Sequence, residues 1–212
     1  MAIWSIDEFS GEFHSAPGEA QLVDDELIDE VVLTTGDPMA IPGPRRQVME
    51  AVHRELRRSW VTGGVVFQAY ELEEPDTDVE SEDPGPEAVI SLFWSLADNQ
   101  DLPSDIAGCS IAWLTEGRLW PESMQQFGDA LYRALRDGGV LGDGVDEDQA
   151  QRMTIEYMDA LFGEAEESDV FLFGLDPGFS CWFCDGEYDI AYAIINLDAG
   201  WFGLFLATDS ED

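Results

Sequence analysis

Lysine is absent from this chain, and only nine arginines and two histidines stand against 46 aspartates and glutamates in 212 residues. Without lysine there is no P-loop, Schiff-base or protein-kinase chemistry, since each needs an ammonium group on a phosphate, a carbonyl or a glutamate. The two imidazoles, His14 and His53, leave few players for acid–base or nucleophilic schemes. Three cysteines, an odd number, argue against a disulfide framework and for a reducing compartment. No run approaches the roughly 20 apolar residues of a membrane span. The segment Met1 to Glu8 lacks the basic start and apolar run of a signal peptide. These absences lead us to expect a soluble, cytoplasmic protein.

What the chain has is negative charge, a formal net −37 at pH 7. Phosphate neutralisation needs a surplus of cations, so direct, sequence-independent binding to nucleic acid is excluded, and an anionic membrane surface is disfavoured. Self-repulsion on this scale opposes compaction and must be offset by salt, counter-ions or a cationic partner. Yet 45% of the residues are apolar and the mean hydropathy is −0.15, enough to build a core.

The clearest periodic segment is Pro44 to Trp60, where Val48, Met49, Val52, Leu56 and Trp60 form a helical stripe behind a first-turn proline. Pro121 to Arg136 predicts a second helix, ended by Gly138 and Gly139. A third runs from an Asp146 N-cap to about Phe162 and buries some combination of Met153, Ile155, Tyr157, Met158 and Leu161. Strands are expected at 3–9, 31–35, 65–70, 88–96, 109–114, 170–173, 180–183, 188–196 and 201–207. Turn signals lie at Gly36-Asp37-Pro38, Asp185-Gly186 and Asp198-Ala199-Gly200. Strands do not alternate regularly with helices. The expected fold is therefore α+β, a mainly antiparallel sheet with about three helices in a single domain spanning the chain. Between two of the expected strands, residues 71–87 hold nine acids and three prolines, which predicts a solvated, mobile loop.

Several motifs point to chemistry and are outweighed by plainer readings. Cys181 and Cys184 form a CxxC, but in an expected strand residues three apart point to opposite faces, and no second ligand pair has zinc spacing. We read them as structural, and expect no metal and no cofactor. Asp143, Asp146 and Asp148 crowd a glycine loop but miss the EF-hand register. His53 is expected to be solvated or paired with Glu50. No pair of carboxylates is singled out for glycosidase-type work. The balance is against an enzyme and names no catalytic residue.

Two clusters are candidate binding residues. The first is acidic: Glu71, Glu73, Glu74, Asp76, Asp78, Glu80, Glu82 and Asp83. The second is the arginine-rich helix, where Arg54, Arg57 and Arg58, with Arg45 and Arg46, offer bidentate contacts to carboxylate or phosphate. The plainer alternative pairs Glu50 with Arg54 and anchors the rest on the chain's own acids. The function expected is a non-enzymatic acidic binding protein, an inhibitor or immunity-type partner of a basic protein, or a nucleic-acid mimic. The alternative is a cytosolic domain of a salt-adapted organism whose acidity is a solvent adaptation, a class that includes an enzyme with a site not legible in sequence. A Trp201-Phe202 edge is a further candidate for strand pairing across a dimer.

Overall fold

The computed structural model describes residues 34–60, 63–73, 83–99, 101–102, 114–140, 142–180, 182–183 and 189–209. In chain order they form β1 (Thr34–Pro38), α1 (Gly43–Ser59), β2 (Gly64–Glu73) and α2 (Pro86–Asn99). Then follow β3 (Leu119–Glu122), α3 (Met124–Asp137), α4 (Glu147–Phe162), β4 (Val170–Leu175), β5 (Ile190–Asn196) and β6 (Trp201–Thr208). The strands make one six-stranded sheet in the order β1-β2-β6-β5-β4-β3, and every neighbouring pair is antiparallel. The fold is α+β, with four helices among the described residues.

Helices cover both faces of this sheet. On one face, Val65, Ala69, Leu172, Ile194, Phe205 and Ala207 pack against Leu56 of α1, Phe127 and Leu131 of α3, and Tyr157 and Leu161 of α4. On the other, Tyr70, Phe173, Ile195, Phe202, Leu204 and Leu206 pack against Val89, Leu92, Phe93 and Leu96 of α2. Double coverage explains why β5 and β6 read as nearly continuous apolar runs, since both sides of the pleat are buried.

The helix starts follow from their caps. Ser123 accepts from the Gln126 amide while the Gln126 side chain accepts from the Ser123 amide, a reciprocal capping box. It starts α3 later than the sequence pattern predicts and frees Pro121 to sit in β3, where it pairs with Phe173. Asp146 accepts from the Gln149 amide at 2.9 Å, and α4 keeps its expected bounds.

Other expectations are corrected. Residues 88–96 are the body of α2, with Ala88, Val89, Leu92, Phe93 and Leu96 buried at helical spacing, and Trp94 47% exposed. The acidic segment therefore joins a strand to a helix, and both of its ends are structured: residues 71–73 continue β2, and 86–87 open α2. Gly36, Asp37 and Pro38 lie in β1, whose register shifts between Thr35 and Pro38. Trp182 and Phe183 are in a turn, outside any strand. Trp201 and Phe202 are buried in β6, between β2 and β5, so they are no edge for a dimer. Of the five apolar residues from which the buried face of α4 is expected to draw, Tyr157 and Leu161 are buried and Ile155 is 53% exposed. The expected strands at 3–9 and nearly all of 109–114, and the Asp185-Gly186 turn, lie outside the described residues.

Candidate functional site

The sheet register gathers exposed carboxylates at one end. Glu71 pairs with Trp201, Asn196 pairs with both Trp201 and Val170, and Leu172 pairs with Glu122, so these positions share that end. The β5–β6 turn there carries Asp198, and the segment entering β4 carries Glu164, Glu166 and Glu167, all exposed. The turn and the segment are tied by the Leu197 amide, which donates to the Asp169 carbonyl at 2.9 Å, and the Leu72 amide donates to the Gly200 carbonyl at 3.0 Å. Glu71 and Glu73 are two residues apart on one face of β2. They flank Gly36 of β1, where an added Cβ would lie 3.6 Å from the Glu71 Cβ and from the Glu73 Cγ. No ion pair among the described residues involves Glu71, Glu166, Glu167 or Asp198.

The opposite end treats its acids differently. Asp176 pairs with Arg118, the Thr208 hydroxyl donates to Asp189 at 2.5 Å, and the buried Asp209 accepts from the Val140 amide at 2.8 Å. These three described carboxylates bond to the chain's own loops, whereas Asp143 at the same end, and Glu71, Glu166, Glu167 and Asp198 at the first end, are exposed. Of the acids predicted to form the site, the structure places Glu71 and Glu73 on that first end and Asp83 just before α2. Glu74, Asp76, Asp78, Glu80 and Glu82 lie outside the described residues.

The arginines of α1 do not converge. Arg46 pairs with Glu50 at 2.7 Å, which takes the partner expected for Arg54. Arg58 donates to Glu55 at 2.6 Å, and Arg57 donates to the Val65 carbonyl at 2.6 Å. Arg45 reaches the end of α4, where a Cβ on Gly163 would lie 3.0 Å from its guanidinium. A cation suits that helix C-terminus, and Gly163 adopts the positive φ of 63° that such a cap favours. Arg54 is exposed on the helix. The Arg57 guanidinium meets the start of β2, and Glu71 is six residues along that strand, about 20 Å away at strand spacing, whereas Arg45, beside Gly163, adjoins the segment that carries Glu164, Glu166 and Glu167.

His53 is buried instead of solvated, and its Nε2 lies 3.0 Å from the Tyr157 hydroxyl. Burial, helped by the Arg57 charge and opposed by Glu50, lowers its pKa to about 4, so the ring is neutral at pH 7. It lines a cavity of about 410 Å³ with Met39, Arg46, Arg57 and Phe67. A neutral histidine bonded to a tyrosine that burial keeps protonated is a cross-link between helices.

A second cavity, of about 570 Å³, lies between α3 and the β3–β4–β5 edge. Its wall is Trp120, 44% exposed, whose indole N–H donates to Glu122 at 2.8 Å. The ring lies over Gly174, where an added Cβ would come within 2.3 Å of the indole nitrogen. Sequence pattern does not reveal this platform, because Pro121 of the Leu-Trp-Pro-Glu run reads as a helix start. A third hollow lies between α3 and α4, with Ile155 exposed beside it. Among the described residues, no three His, Cys, Asp or Glu side chains converge as metal ligands, and no helix is long and apolar enough to cross a membrane. Asp146 is taken up by its capping bond, and the Asp143 carbonyl accepts from Arg58 at 3.4 Å. Cys181 and Cys184 lie outside the described residues. The chain matches no protein-family model and none of the curated proteins compared with it.

Proposed function

We propose that this chain is a non-enzymatic acidic binding protein whose partner is a basic protein surface, of the inhibitor or immunity type. The observation that carries the reading is the gathering of exposed carboxylates from separate segments at one end of the sheet. Glu71, Glu166, Glu167 and Asp198 come from separate segments to that end, and all four are exposed. A net charge of −37 gives that surface a field that draws in a cationic partner quickly and in a salt-dependent way. In sequence, the acids from Glu74 to Asp83 follow directly from Glu73, and they supply further negative charge to the same encounter.

The test is stoichiometric inhibition of a panel of basic nucleases at about 0.1 M and 1 M salt, ionic strengths on either side of effective screening. Inhibition at the lower salt that fades at the higher, and that weakens when Glu71, Glu73, Glu166, Glu167 and Asp198 become Gln or Asn, supports the reading. Thermal unfolding in a KCl series separates it from solvent adaptation. A chain that is unfolded at low salt and folds only at molar KCl, and that inhibits no member of the panel, belongs to the salt-adapted class instead.

A further inference from the structure

The hollow between α3 and α4 differs in character from the acidic sheet end. It is an open groove of about 620 Å³, lined by residues of the two helices together with Gly163 and Ala165. Met124, Tyr132, Met158 and Phe162 give it an apolar floor, and the exposed Ile155 forms a lip. Its charged lining residues are Asp129, Glu147 and Asp159, and Arg45 stands beside Gly163 at one end of it. Past Ala165 the chain runs straight into Glu166 and Glu167, so the groove opens toward the acidic end.

Two details set this groove apart from ordinary helix packing. Gly128 lies in the interior of α3, where glycine costs about 0.5–1 kcal/mol relative to alanine. A Cβ there would sit 3.7 Å from the Met158 methyl and 3.9 Å from the Thr154 methyl, which is normal contact. Packing therefore does not require the glycine, and its missing side chain deepens the groove. The Thr154 hydroxyl is also buried without a partner among the described residues.

We infer that this groove receives a basic amphipathic helix of the protein partner. The helix lays its apolar face on Met124, Met158 and Ile155 and sets its Lys or Arg residues against Asp129, Glu147 and Asp159. Methionine floors adapt to varied apolar side chains, and a trough between two helices of 14 and 16 residues matches a helix of about four turns. A second copy of this chain is a poor occupant, because its −37 charge meets an acidic rim. The inference rests on the reading of a cationic protein partner and adds the segment and the face that it uses.

The experiment is calorimetric titration of the intact protein with two synthetic leucine–lysine peptides of about four helical turns. They share one composition. The first has all leucines on one face, and the second has them scattered around the helix. The amphipathic peptide is expected to bind about tenfold more tightly or better, and Ile155→Asp and Gly128→Leu should each remove most of that advantage. Ile155 is 53% exposed, so its variant keeps the test open if Gly128→Leu does not fold. Equal affinity for both peptides, or an advantage untouched by Ile155→Asp, overturns the groove and leaves the cationic-partner reading standing. If neither peptide binds at low salt, both fall. A dimer in sedimentation that Ile155→Asp dissociates would also overturn the inference, since a second copy would then be the occupant.

Discussion

His53 Nε2 and the Tyr157 hydroxyl share a hydrogen bond at 3.0 Å that ties α1 to α4 inside the larger of the two helical layers. Both rings also lie against Phe205 of β6, at centroid distances of 6.2 and 5.9 Å, so the pair seats two helices on the middle of the sheet. This contact has a pH signature.

The folded-state pKa of His53, about 4, lies below the unfolded value of 6.5. The unfolded chain therefore binds the extra proton between those values, and the stability owed to a neutral His53 is full above pH 6.5 and lost as pH falls toward 4. At pH 5 the loss amounts to about 2 kcal/mol. Protonation of carboxylates relieves repulsion over part of the same range and acts in the opposite direction. Comparison with His53→Gln isolates the histidine, because the carboxylates are common to both proteins. The stability advantage of the native chain, read by urea unfolding, should shrink by that amount between pH 7.5 and pH 5. An advantage constant with pH would show that His53 is not neutral in the fold.

Gly128→Ala should stabilise the chain. The helix interior gains a better former, and the new methyl meets Met158 and Thr154 at ordinary contact distance. The expected gain is about 0.5–1 kcal/mol, visible as a rise in Tm. A loss of stability would mean that the α3–α4 contact is tighter than the structure has it.

Gly174→Ala should have the opposite sign. Its Cβ collides with the Trp120 indole, which must leave its place over β4 and give up the bond to Glu122. A cost of about 1–3 kcal/mol is expected from overpacking. In the background of Trp120→Ala the same substitution should cost little, because the obstructing ring is gone. A double-mutant cycle with unfolding free energies measures that coupling, and strict additivity would contradict the stacking of Trp120 on Gly174.

The helix starts provide a local test. Ser123→Ala and Asp146→Ala each remove a side-chain acceptor for a first-turn amide, and each should cost about 1 kcal/mol. Ser123→Asp keeps the acceptor and places a carboxylate at the helix N-terminus, so it should retain most of the stability. Equal losses in Ser123→Ala and Ser123→Asp would argue that the hydroxyl does not cap α3.

The parts of this architecture that were legible in sequence are those where one face of an element is polar or where a cap is explicit. The Val48 to Trp60 stripe and Asp146 place α1 and α4, and Asp198-Ala199-Gly200 places the β5–β6 turn. Helix α2 was misread because Ile90, Leu92, Trp94 and Leu96 also satisfy a two-residue alternation, although Pro84-Gly85-Pro86-Glu87 before them is a helix start. The start of α3 was legible in Ser123 and Gln126 and was overlooked in favour of the proline. The acidic end was only half legible. Composition points to Glu71 and Glu73, but their company with Glu166, Glu167 and Asp198 depends on strand register, which no local pattern carries. The burial of His53 likewise depends on α4, whose Tyr157 is 104 residues away.

The place of β6 in the sheet governs how the molecule is assembled. Its neighbours are β2, from the first third of the chain, and β5, immediately before it, with Gly64 paired to Thr208 and Glu71 to Trp201. During synthesis β1 and β2 emerge early, yet the edge of β2 away from β1 has nothing to bond until β6 appears. Such long-range closure slows folding. Until β6 is made, β2 is an open edge followed in sequence by a run of carboxylates, the kind of charge that blunts edge-to-edge pairing.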